Sequence, residues 1–237
     1  MNTDSITITP DFTWPESNAH GNRVLANGAV IGQYAVIEQY AVIEQYAVIG
    51  RGARIKQRAV IEQYAVIEQY ARIKQRAVIR QGAVIGPGAV IGPGAVIGPG
   101  AVIEPYALIE PHARIEQYAC IGRGAGIGRG AVIGRGAVIG QSAVIGQGAY
   151  IRPTAVIGRG ARVGPNARWI ACVGFADGYY KDLCAVGDVA YIGAGSRWFP
   201  LGEALRHWGN QREERHATMA LMEGAKALAT LNNLKWE

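Results

Sequence analysis

From Ala29 to Ala167 an alanine occupies every sixth position, 24 times without a miss. An isoleucine follows two residues after each, from Ile31 to Ile157, before Val163 and Trp169 end the run. No insertion breaks the phase, so whatever one unit adopts all of them adopt, and this period is interpreted before anything else. In Ala-Val-Ile the two flanking residues of an extended chain point to the same side. The next three positions draw on Gly, Gln, Pro, Arg, Glu and Tyr, which suit a corner facing water. Six residues are too few for a helix or a hairpin, so strand and corner alternate. If each strand stacks on its equivalent in the next coil, Ala and Ile ladders fill a continuous interior.

The unit Ile85-Gly86-Pro87-Gly88-Ala89-Val90 resembles, position by position, the motif of the left-handed parallel β-helix family of hexapeptide-repeat proteins. The resemblance covers about 145 of the 237 residues. It implies the handedness, three strands per coil and a trimeric assembly. Twenty-four units then make about eight coils, a prism roughly 38 Å long at ~4.8 Å per strand spacing. The expected fold is mainly β: an N-terminal arm or cap over 1–24, the β-helix over 25–168, and a small C-terminal α+β capping domain over 169–237.

The remaining composition narrows the setting. The formal charge is +6 and the pI about 9.3, a bias that permits acidic ligands without requiring them. Cys120, Cys172 and Cys184 are too few and too scattered for a disulfide framework or a zinc site. The segment from Met1 to Asn22 lacks a basic start followed by an apolar run, and no apolar stretch approaches the length of a membrane span. A cytoplasmic protein is expected, with no cofactor and no bound metal. Phe12 and Trp14 in the polar lead-in are placed to cover the first coil, because the end of a solenoid exposes strand edges and interior.

Folding the repeat at three units per coil sorts the outward-pointing middle residues onto three faces. One face collects Val30, Val48, Val66, Val84, Val102, Cys120, Val138 and Val156, apolar along its whole length. A strip this long exceeds what a soluble monomer leaves exposed, so Val30, Val48, Val66, Val84, Val102, Val138 and Val156 are expected to form an oligomer interface, with a homotrimer as the closed arrangement of three-sided prisms. The second face carries Val42, Val60, Val78, Val96, Arg114, Val132, Tyr150 and Arg168. The third carries Val36, Arg54, Arg72, Val90, Leu108, Gly126, Val144 and Arg162.

On the third face and its corner, Ala53-Arg54-Ile55-Lys56-Gln57-Arg58 recurs unchanged as Ala71-Arg72-Ile73-Lys74-Gln75-Arg76. Arg54 on Arg72, Lys56 on Lys74 and Arg58 on Arg76 place like charges in adjacent rungs, which repel. Compensation comes either from acidic residues of a neighbouring subunit, such as the corner glutamates Glu38, Glu44, Glu62 and Glu68, or from a bound anion. Guanidinium forks suit phosphate or carboxylate, so these six residues are the candidate ligand site for a small anionic molecule of nucleotide type.

His112 is the single histidine of the coils and the one candidate general base there. Many members of the resembled family are acyltransferases using CoA or acyl-carrier thioesters, with a catalytic histidine and a loop that interrupts the coils. Here the coils run unbroken. The γ-class carbonic anhydrases of this fold need three histidine ligands, and the antifreeze members expose Thr-x-Thr ladders; neither pattern is present.

Periodicity stops at Trp169. Trp169–Val173 and Val189–Ile192 read as strands separated by turn signals, and Pro200 opens a helix running to about Trp208. Ala217, Leu221, Gly224, Leu228 and Leu231 fall on one face of a second helix, entered through Arg212, Glu213, Glu214 and Arg215. Tyr191–Phe199 with Glu203–Trp208 is similar to C-terminal segments of bacteriophage and prophage proteins of unassigned function. Gly193-x-Gly195 lacks the third glycine of a dinucleotide fingerprint, and His207 and His216 have no partners at metal-ligand spacing. Trp169, Trp198 and Trp208 read as packing residues, and no module for sequence-specific nucleic-acid binding is present.

Taken together, the residues favour a non-catalytic homotrimeric binding protein that sequesters a nucleotide-type signal on its basic surface. The alternatives are a structural or adaptor protein of a phage particle and a hexapeptide-repeat acyltransferase using acetyl-CoA.

Overall fold

The computed structural model describes residues 5–18, 23–176, 179–194, 197–209 and 216–236. The protein is a left-handed parallel β-helix followed by a small α+β region. Each repeat forms a very short strand such as Val84–Ile85, and each strand pairs in parallel with its equivalents one coil before and one coil after, Val84 on Val66 and Val102. Every face carries eight such rungs joined by seven pairings, so the chain makes about seven full turns rather than the eight coils expected. The inward Ala and Ile ladders are buried without exception from Ala41 to Val163 and form one continuous cluster.

Each corner is a tight turn. The alanine that opens a strand donates its N–H to the carbonyl three residues back, as Ala89 does to Gly86 at 3.2 Å. The residue before that alanine adopts positive φ: +58° at Arg76, +60° at His112 and +64° at Gly94. This is the second central position of a type II turn, which explains the Gly-Pro-Gly corners, proline fixing the first position and glycine the second. Corners stack as strictly as strands, because the positive-φ residue donates to the preceding corner's central carbonyl; Gly94 to Gln75 and His112 to Pro93 are both 3.0 Å.

The N-terminal segment covers the open end of two faces. Ser5–Thr7 pairs antiparallel with Val42–Glu44, and Arg23–Val24 with Val30–Ile31. Phe12 and Trp14 meet edge to face, 5.0 Å between centroids, and pack against the coil interior as expected of a cap.

At the other end one face continues as an antiparallel meander: Arg168–Ala176, Tyr179–Val186, Val189–Ala194 and Arg197–Pro200. Cys184 of this meander is buried in the coil cluster. Helices α1 (Leu201–Gly209) and α2 (His216–Leu231) then build a second core with Leu183, Ile192, Leu201, Met222 and Ala225. The buried stripe of α2 is Met222, Ala225 and Ala229, not the one expected: Gly224 is exposed and Leu231 is 77% exposed. The expected α2 entry at Arg212 to Arg215 lies outside what is described, as do the side chains of His216, Ala217, Trp169, Trp198 and Trp208. Among the described residues no helix is long and apolar enough to cross a membrane.

Candidate functional site

Register places the six predicted cations together. Arg54 pairs directly with Arg72, and stacked corners carry Lys56 and Arg58 beneath Lys74 and Arg76. One of them is already neutralised within the chain: Lys56 donates a hydrogen bond to Oε1 of Glu38, one rung earlier. That contact holds the Glu38 carboxyl below the usual carboxylate range. Among the described residues no ion pair engages Arg54, Arg58, Arg72, Lys74 or Arg76.

The corner glutamates, expected to face a neighbouring subunit, have a structural role inside their own chain. Glu38, Glu44, Glu62, Glu104 and Glu110 each accept the backbone N–H of the residue nineteen positions on, at 2.9 to 3.2 Å. Each therefore satisfies an amide of its own next coil. A signal was available: Glu38 precedes Lys56 by one full coil, the same offset that stacks the arginines.

The same edge of the prism carries His112. Its corner stacks on Gly92-Pro93-Gly94, which stacks on Lys74-Gln75-Arg76. His112 thus lies two rungs beyond Arg76, about 10 Å along the axis at ~4.8 Å per rung. The imidazole leans back over the glycine corner, and a Cβ on Gly94 would lie 2.7 Å from Nδ1. Glycine at position 94 thereby both permits φ of +64° and leaves the seat that the ring fills. His112 itself is exposed, and Glu110 in its corner is committed to the Arg129 amide at 3.0 Å. One continuous edge therefore presents Lys56, Arg58, Lys74 and Arg76, then the Gly92-Pro93-Gly94 corner, then an accessible imidazole. In the sequence these two features are separated by two full coils, and the offset that stacks the arginines also aligns His112 with Arg76.

The valine face is contiguous, Val30 on Val48 on Val66 through to Val138 on Val156, with Cys120 in line. Its exposure ranges up to 50% at Val156. Burial, with a smaller contribution from Glu104, pushes the Cys120 thiol up. A groove of about 430 Å³ lies at the N-terminal end, lined by Ser17, Arg23, Gln33 and Tyr34, well away from His112 in the coil order.

Comparison with known proteins bears on this edge. Residues 64–99, 94–129 and 136–168 match the family model described as bacterial transferase hexapeptide (six repeats). No curated protein matches this chain in sequence. Solved structures with the same repeat include the acetyltransferase domain of PglB from Neisseria gonorrhoeae with acetyl coenzyme A, 24% identical over 53% of this chain and 55% of that one, TM-score 0.36. A perosamine N-acetyltransferase from Caulobacter crescentus with CoA and GDP-perosamine is 18% identical over 54% of each chain, TM-score 0.38. The UDP-N-acetylglucosamine O-acyltransferase of Moraxella catarrhalis is 14% identical over 84% of this chain and 81% of that one, TM-score 0.37. The chain spans about half the length of the first two. These are likenesses of fold.

They correct one expectation. A non-catalytic binding protein was favoured because no loop interrupts the coils. The matching family model is one of bacterial transferases, so the reading as a non-catalytic binding protein does not stand. An unbroken coil was given too much weight, since a corner can present a base without a loop.

Proposed function

We propose that the protein is an acyltransferase that moves an acyl group from a CoA-type thioester to a hydroxyl or amine. The observation that carries this is the shared edge: an accessible His112, held over Gly94, in line with Lys74 and Arg76 and the rungs below them. Arg58, Lys74 and Arg76 suit the phosphates of the donor, with Arg54 and Arg72 on the adjoining face. His112 takes the proton from the acceptor as its oxygen or nitrogen attacks the thioester carbonyl. The carbon–sulfur bond then breaks, and the protonated imidazole returns its proton to the departing thiolate. The transferase family model supports the same reaction class.

A trimer packed on Val66, Val84 and Val102 would bury the apolar face. Sedimentation equilibrium is expected to give three chains for the native protein and one for Val84→Glu; a native monomer would exclude this assembly.

The reaction is tested by thiol release from acetyl-CoA with a panel of amine and hydroxyl acceptors. His112→Ala is expected to lower kcat about 100-fold or more, the usual share of a general base. Arg76→Ala is expected to raise KM for the donor. Turnover indifferent to His112→Ala, or no turnover across the panel, would sink the reading.

A further inference from the structure

A second basic feature lies across the neighbouring face from His112. There a groove of about 280 Å³ runs over four successive rungs, lined by Arg80, Gly98, Arg114, Glu116, Gln117 and Arg135. The three guanidinium groups come from three different coils, the outermost about 14 Å apart along the axis at ~4.8 Å per rung. Three arginines and one glutamate give the groove a formal charge of +2. Among the described residues none of the three arginines is in an ion pair, and Glu116 is in none either.

The corner pattern says what is missing there. At five other corners a glutamate carboxylate accepts the amide nineteen residues on. The corresponding position beneath Gln117 is Gly98, so the Gln117 N–H has no protein acceptor among the described residues, as is true of the amides above Gly50, Gly122, Gly128 and Gly140; what sets this corner apart is the three guanidinium groups beside it. No larger residue fits at Gly98, because a Cβ there would lie 2.6 to 2.7 Å from the backbone of Glu116 and Gln117. The stacking of the coils thus keeps side chains out of this position, with an unpaired amide in the groove wall and guanidinium groups around it. Glu116 also departs from the corner rule, since its carboxylate caps no amide among the described residues.

We infer that this groove is an oxyanion site for a small molecule, whose phosphate or carboxylate takes the place that a glutamate carboxylate holds at other corners. It accepts from the Gln117 amide and from the forks of Arg80, Arg114 and Arg135, the donor set that favours such groups. Glu116 in the same wall accepts from a hydroxyl or ammonium on the same molecule. The ligand class is therefore a phosphorylated or carboxylated sugar or amine. The site is separate from the Lys74–Arg76 edge and stands on binding, not on turnover.

Isothermal titration of the full chain at low salt, with inorganic pyrophosphate in one arm and citrate in the other, tests this. At least one is expected to bind, and the stronger arm assigns phosphate or carboxylate. Arg114→Ala should weaken binding about tenfold or more, and Glu116→Gln should tighten it by removing a like charge; Arg76→Ala should remove only the share of phosphate binding that belongs to the Lys74–Arg76 edge. No heat with either anion at millimolar concentration would overturn the inference. So would binding that Arg76→Ala abolishes while Arg80→Ala and Arg114→Ala leave it intact.

Discussion

Two kinds of corner hold this coil together, and they do so by opposite means. Where the first corner residue is Glu, Lys or Arg, its N–H reaches the isoleucine carbonyl of the next coil at 2.8 to 2.9 Å, as at Glu38, Lys56, Arg80 and Glu110. Where it is glycine the same bond shortens to 2.6 to 2.8 Å, as at Gly50, Gly98 and Gly134. Without a Cβ the next coil settles onto the backbone; with one it stands slightly off, and at Glu38, Glu44, Glu62, Glu104 and Glu110 a carboxylate caps an amide of the next coil. Glutamate corners predominate early in the repeat and glycine corners late. A strictly periodic solenoid can therefore vary its corners, with some closing up on glycine and others leaving room for a carboxylate to cap an exposed amide.

The comparison is most easily broken at a closed corner. Gly122→Ala puts a Cβ 2.6 to 2.8 Å from the backbone of Ile139, Gly140 and Gln141, so the coil must open by tenths of an ångström. A loss of about 1–3 kcal/mol is expected in chemical denaturation, as for other overpacked sites. Gly126→Ala, on a strand where a Cβ meets nothing within 4 Å, serves as the control and should be nearly neutral.

A smaller effect is expected at an open corner. Glu62→Ala strips the acceptor from the Gln81 amide, a 3.1 Å bond at the surface where water can replace it. The cost should be about 0.5–1.5 kcal/mol. A loss matching that of Gly122→Ala would show that the two corner types do not differ in kind.

The smallest effect is electrostatic. Lys56 lowers the folded-state pKa of Glu38. A depressed carboxylate stabilises above its unfolded value of about 4.3, and that contribution disappears as pH falls through the folded value. Because the pair is exposed, the difference between the native protein and Lys56→Met should be a few tenths of a kcal/mol at pH 7, vanishing below the folded pKa of Glu38. Acid titration of stability that shows the same gap at every pH would remove the pair from the account.

How much of this was legible beforehand follows from what each residue advertises. The Ala-x-Ile ladder announces its own burial, so the coil and its faces could be read directly. Stacked arginines were visible for the same reason, but the partner of Lys56 was sought in another subunit although Glu38 stood one coil earlier in the same chain. His112 looked like one corner residue among many until the stacking aligned it with Arg76. The strand Tyr179–Val186 was missed because its inward positions are Lys181, Leu183 and Ala185, and a buried lysine hides the alternation. Helix α2 buries Met222, Ala225 and Ala229, a stripe one residue on from the leucine stripe that periodicity picks out. The groove beside Gly98 draws Arg80, Arg114 and Arg135 from three different coils, so no single corner of the sequence advertises it.

The ring of His112 over Gly94 is one case of a wider habit. Tyr46 leans over Gly28, Tyr70 over Gly52, Tyr106 over Gly88 and Tyr118 over Gly100, in each case a later residue resting on an earlier glycine. The direction never reverses among these pairs. A chain emerging from the ribosome therefore has each seat in place before the ring that occupies it has been made. The prism carries the order of its own synthesis in its corners, since every such ring belongs to a coil made later than the one it rests on.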